Sequence, residues 1–107
     1  MNQQLIFQQL SQLTGLGINK GKEASEEASE AANDANILIE ALLVKAKEME
    51  KSYPGNSEDL IFHQLTQYAY GKFSVESDIS KVVESVSAIV SDLLSKAKAL
   101  ESRRSGL

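Results

Sequence analysis

Few side chains in this chain could do chemistry, and they are scattered. His63 is its only histidine and there is no cysteine, so no recognisable zinc spacing exists, and a histidine placed soon after a turn reads as a packing or surface residue. Paired acids such as Glu26 and Glu30 read as a solvated helix face. Residues 15–22, GLGINKGK, are rich in glycine, but a loop that cradles phosphate needs a preceding strand and a different glycine spacing. Tyr68, Tyr70 and Phe73 read as packing residues between helices in preference to an aromatic platform for a ligand. With no catalytic constellation, no metal and no cofactor are expected and the protein is not expected to be an enzyme. The expected chemistry is that of helix surfaces meeting a protein partner.

Composition sets the frame for those surfaces. The chain has 107 residues, six glycines, one proline and no tryptophan. Its many Ala, Leu, Ser, Glu, Lys and Gln residues mostly lose little rotamer freedom in a helix, so the expected class is all-α and the expected unit is a single domain, residues 1–107. A formal charge of −4 and a pI near 5.0 argue against a nucleic-acid partner, which needs a basic face to neutralise phosphates. Absence of cysteine removes disulfide frameworks and thiol catalysis and leaves the compartment open. The apolar run Ile37 to Val44 is interrupted by Glu40 and falls short of the roughly 20 residues that a bilayer span needs. The start does not pass from basic to apolar as a signal peptide does. No membrane span is therefore expected, and the chain is expected to be cytoplasmic as synthesised, any export proceeding without a cleaved signal.

Periodicity then places the elements. Leu5, Ile6, Leu10 and Leu13 fall near one face of a short helix over residues 1–14, ended by Gly15 and Gly17, with 15–21 as a flexible joint. Over 22–51, Ala24, Ala28, Ala31, Ala35, Leu38, Leu42, Ala46 and Met49 recur at steps of three and four, which predicts a second helix. Its alanine half lets a partner approach closely but contributes only ~1 kcal/mol or less per residue, against about 1.5–3 for a leucine. Residues 52–57 hold the only proline, Pro54, beside Gly55 and Asn56, and read as a turn, with Asn56 or Ser57 as the next N-cap and Glu58 and Asp59 on the positive end of the helix dipole. A long third helix is expected over 58–102, with Gly71 as the candidate place for a kink, followed by a tail at 103–107. Its stripe runs through Ile61, Leu65, Tyr68, Lys72, Val75, Ile79, Val82, Val86, Ile89, Leu93, Ala97 and Leu100, with Lys72 out of character. A flanking stripe of Phe62, Ala69, Phe73, Val83, Val90 and Leu94 makes the apolar face wider than a two-stranded seam needs.

The expected architecture is thus an antiparallel hairpin of two long helices with a short N-terminal helix, packed as a bundle or coiled coil. In that hairpin the alanine stretch meets the Val75 to Val83 region, and Leu93 to Leu100 meet the N-terminal arm. One apolar flank is left over, to be covered by the short first helix or by another molecule. The expected interaction residues are Phe62, Leu65, Tyr68, Phe73, Val75, Ile79, Val82, Val86, Ile89 and Leu93, and the expected partner is a second copy or another helical protein, giving an oligomer or heterocomplex. An acidic block, Glu23, Glu26, Glu27, Glu30 and Asp34, and a basic end, Lys96, Lys98, Arg103 and Arg104, either meet between molecules or simply complement the helix dipoles.

Several bacterial families share parts of this pattern. An alanine-rich helix, a proline turn and then a long helix carrying Gln67-Tyr68 and Glu76-Ser77 resemble, over about residues 22–95, the needle subunits of type III secretion systems. Those subunits are helical hairpins that stack into a hollow filament, so the first functional expectation is a type III secretion component of the needle-subunit kind that self-assembles through helix packing, with the two families that follow as alternatives. Tyr68-Ala69-Tyr70-Gly71 is similar to an element of a small helical chaperone that holds a type III filament subunit before export. IFHQLTQYAY, residues 61–70, is similar to the third helix of class IIa bacteriocin immunity proteins, cytosolic four-helix bundles that protect a producer cell from its own peptide. That family breaks its helix after this segment, whereas here the apolar stripe runs on past Gly71. Secreted helical hairpins of the WXG type share the overall shape, with Pro54-Gly55 standing where their Trp-x-Gly would be.

Overall fold

A computed structural model describes residues 3–19, 25–73, 75–76 and 78–105. Among them the chain forms four helices, α1 (Gln3–Asn19), α2 (Ser25–Ser52), α3 (Glu58–Phe73) and α4 (Ile79–Ser105). The all-α class therefore holds, with corrected boundaries. Residues 20–24, part of the expected joint and helix start, lie outside the described residues. So do Ser74, Ser77, residues 106–107 and the side chains of Glu26, Glu27 and Ala28.

Helix α1 does not stop at its glycines: it continues through Gly15 and Gly17 to Asn19. Leu13 is fully buried and Leu16 packs on the same core. That tertiary contact outweighs a glycine penalty of about 1 kcal/mol each.

The turn at the midpoint forms as its residues dictate. The Asn56 N–H donates to the Tyr53 carbonyl at 3.3 Å, closing a β-turn with Pro54 and Gly55 at its centre. Pro54 supplies the fixed φ of the first central position, and Gly55, at φ 102°, supplies the positive φ that a type II turn requires at the second. Ser57 is the N-cap of α3: its Oγ accepts from the Leu60 N–H at 3.2 Å, three residues on. Glu50 of α2 reaches across, its Oε2 accepting the Glu58 N–H at 2.7 Å. Two of the free donors at the start of α3 are thereby satisfied, and the helix is tied to the end of α2.

The long helix expected over 58–102 is in fact two. Helix α3 ends at Phe73 and α4 begins at Ile79, so the chain is divided between Phe73 and Ile79 rather than kinked at Gly71. The Val75 and Glu76 N–H groups both donate to the Lys72 carbonyl, at 3.1 and 2.9 Å, which terminates α3. Asp78 caps α4, its Oδ1 accepting the Ser80 N–H at 3.0 Å while its carbonyl accepts from Val82 at 3.2 Å. The tail expected at 103–107 is also corrected, since Arg103 and Arg104 belong to the last turn of α4.

With that second reversal the expected hairpin becomes a four-helix bundle. Helix α2 packs against α1, α3 and α4, α3 packs against α4, and α1 touches α3. The core gathers Leu13, Ala35, Leu38, Ile39, Leu42, Ala46, Met49, Ile61, Phe62, Leu65, Ala69, Phe73, Val82, Val86 and Val90. Among the described residues α1 and α4 make no close approach, so the expected meeting of Leu93 to Leu100 with the N-terminal arm does not occur. The described structure measures 58 × 27 × 18 Å, drawn out along the helices.

Two glycines give opposite expectations. A Cβ at Gly71 would meet no atom within 4 Å, so Gly71→Ala should stabilise the protein by about 0.5–1 kcal/mol through helix propensity. Gly55→Ala would force a side chain into the left-handed region and should destabilise it by about 1–2 kcal/mol. Urea unfolding of both variants measures the pair, and equal effects would contradict the turn geometry. Asp78→Ala should cost about 1 kcal/mol, the worth of an N-cap, in the same assay; no loss would mean that α4 does not start there.

Candidate interaction surface

The ten expected interaction residues divide sharply. Phe62, Leu65, Phe73, Val82 and Val86 lie inside the bundle, and Ile79 is half-buried against it. The expected surplus flank is covered too: Phe62, Ala69, Phe73 and Val90 are core residues, and Val83 and Leu94 pack on them. What covers this flank is the chain itself, once α4 folds back. Tyr68, Ile89 and Leu93 remain exposed on their helices, and Val75, in the connection between α3 and α4, is 81% exposed. Pro54 and Gly55 are exposed at the turn and Asn56 is half-buried.

The turn places Asn56 at one end of an apolar groove. There Asn56 and Leu60, Ile61 and Gln64 of α3, with Val90, Leu93 and Leu94 of α4, line a depression of about 230 Å³. Ile61 and Val90 are buried at its floor, while Leu60 and Leu93, 51% and 44% exposed, stand at its rim. Two leucines over an apolar floor, with the amides of Asn56 and Gln64 at the edge, can take an apolar side chain and hydrogen-bond the polar atoms beside it. Leu60 is absent from both expected stripes, because it falls beside the core-facing positions of α3 and only the neighbouring α4 gives it a role. The sequence signal for it is a lone leucine directly after the two acids of a helix start.

Elsewhere the surface is shallower. Gln12 of α1 and Gln67 and Tyr70 of α3 border a cleft of about 380 Å³. The Nε2 of His63 lies 2.9 Å from Gln67 Nε2, a pairing one turn apart on a single helix. The carbonyl of His63 accepts the Thr66 hydroxyl at 2.9 Å, which satisfies the buried threonine. On α1, Phe7, Leu10, Ser11, Thr14 and Gly15 line a second apolar depression of about 490 Å³, unforeseen because Phe7 lies off the Leu5, Ile6, Leu10, Leu13 face.

Among the described residues no three of His, Asp and Glu gather where a metal ion could be held, and no helix is long and apolar enough to cross a membrane. The fold and this surface define an all-α bundle whose outward features are apolar contacts flanked by amides and charges. Compared with protein-family models, curated proteins and solved structures, the chain finds no match.

The division between core and rim has a direct test. Phe62→Ala should cost about 3–5 kcal/mol as a full core cavity, whereas Leu60→Ser and Leu93→Ser at the rim should each change stability by about 1 kcal/mol or less. Urea unfolding of the three variants decides it, and a rim variant as damaging as Phe62→Ala would place the groove within the core.

Proposed function

We propose that this protein is a non-enzymatic binding bundle of the bacteriocin-immunity kind, and that its protein partner seats in the groove between α3 and α4. The observation that carries this reading is the reversal between Phe73 and Ile79. The segment IFHQLTQYAY resembles the third helix of class IIa immunity proteins, and the helix break of that family, not expected from the apolar stripe, is present a few residues after it. The chain then closes as a four-helix bundle, the architecture that the resemblance implies.

A filament subunit would use its long apolar stripe to bind its neighbours. Here Leu65, Val82 and Val86 of that stripe face the protein's own core, so the needle reading has less to assemble with, and the bundle reading accounts for the same residues. A chaperone would share the groove and differ in its guest, a secreted helical subunit in place of a bacteriocin-linked target.

Expression in a bacterium sensitive to class IIa bacteriocins tests the proposal. The inhibitory concentration of at least one member of a bacteriocin panel should rise, and a Leu60→Ser, Leu93→Ser double variant, still folded, should lose that protection, since truncating a pair of central apolar anchors weakens binding by about tenfold or more. Unchanged susceptibility to the whole panel, with the folded protein present, overturns the immunity reading. Concentration-dependent growth into filaments in sedimentation would restore the needle reading, and copurification with one secreted helical subunit would restore the chaperone reading.

A further inference from the structure

The connection between α3 and α4 departs from a helix over only a few residues. On one side the Glu76 N–H donates to the Lys72 carbonyl at 2.9 Å, four residues back, which is the α-helical bond. On the other the Asp78 carbonyl accepts from the Val82 N–H at 3.2 Å, again at a spacing of four. Residues 74–78, SVESD, contain neither glycine nor proline, so nothing in their covalent structure forbids a helix across them. The steps of three and four through Lys72, Val75, Ile79 and Val82 keep one face in register from α3 into α4.

Two residues here have no evident place in the closed bundle. Val75 is 81% exposed, and Lys72, the one charged member of its stripe, is exposed at the end of α3. Both acquire a place if α3 and α4 join as one straight helix. Within the bundle Leu60 and Ile61 of α3 line the same depression as Val90 and Leu93 of α4, so the two helices are paired about a midpoint that falls at residues 75–77. Two straightened chains laid antiparallel about that midpoint keep the same pairings, with α3 of each now against α4 of the other. Val75 then lies beside the two-fold axis, close to its counterpart. Lys72 and Glu76, one turn apart on the same helix, each come near the opposite charge of the second copy, which makes the contact self-complementary.

We propose that the closed bundle exchanges with a domain-swapped dimer, in which the connection straightens and α4 packs into the bundle of a second copy. The core contacts of Val82, Val86 and Val90 are the same in both states, so the balance is set by the connection and by concentration. The closed state keeps the cap that Asp78 gives to the Ser80 N–H. The swapped state replaces that cap with continuous helix and covers Val75. Leu60 and Leu93 still face one groove after the exchange, one from each chain, so the inference goes beyond the immunity reading and does not depend on it.

The chain has no cysteine, so a Leu60→Cys, Leu93→Cys variant can be joined at these two positions by a short bismaleimide, with the two single-cysteine variants as background. In the closed bundle the link stays within one chain and a denaturing gel shows a monomer; in the swapped form it joins two chains and the gel shows a dimer. The linked dimer is expected to form as concentration rises toward about 1 mM. Asp78→Ala removes a cap that only the closed state uses and should strengthen dimerisation by about 30-fold, the effect of two caps per dimer. Val75→Asp should leave the monomer's melting curve unchanged, since this side chain is in solvent, and abolish the dimer by placing two like charges at its centre. A chain that stays monomeric at about 1 mM even with Asp78→Ala overturns the proposal. So does a dimer in sedimentation whose links stay within each chain, or one that Val75→Asp does not weaken. No bacteriocin or sensitive cell enters this experiment, so its result is separate from that of the immunity reading.

Discussion

The fold depends on the buried face of α2, which meets all three other helices. Along it Ala31, Ala35, Leu38, Ile39, Leu42, Ala46 and Met49 are buried, and the face changes character along its length. Its N-terminal part is alanine, which brings a neighbour close but contributes little burial, and the leucines follow from Leu38 onward. A helix whose apolar face is broad must cover it or remain marginal in water. One long partner helix can lie along only one side of such a face. Two reversals in the second half of the chain let α3 and α4 both reach it.

Those reversals are built from different chemistry. The turn at 53–57 depends on backbone geometry, with a proline and a positive-φ glycine, and is reinforced by the Glu50 carboxylate on the Glu58 N–H. The connection before α4 contains neither residue and depends on polar capping by Asp78, with the Glu76 Oε1 accepting the Asp78 N–H at 3.1 Å. It therefore leaves little trace in a reading weighted toward glycine and proline.

That contrast explains what was legible in the sequence. The helical class, the midpoint turn and the cap on α3 follow from residue types with strong local preferences. The division of α3 from α4 was hidden by coincidence: Lys72, Val75 and Ile79 keep steps of three and four across the connection, so the stripe seems unbroken. Lys72, exposed at the end of α3, was the one misfit, and Val75, which fits the pattern, proves to be 81% exposed. The polar pair Asp78 and Ser80 carried the missing signal as a cap and its N2 donor. The groove could not be read at all, because Leu60 and Leu93 become neighbours only after the unseen reversal.

The reversal also changes which residues are available to a partner. In a two-helix hairpin the strongest apolar side chains would be left for another molecule, and function would follow from the stripe itself. In the bundle those side chains are used internally, and what remains outside is displaced from the stripe or lies beyond its covered length: Leu60 beside it, Leu93 across the groove on α4, Leu100 past the last buried position of α4. The first two border a groove with a floor, which can discriminate shape. The third lies in the exposed last turns of α4, close to Arg104 and Glu101. The groove proposed as the binding site and the exposed end of α4 thus share one helix, Leu93 lying on the first and Leu100 on the second.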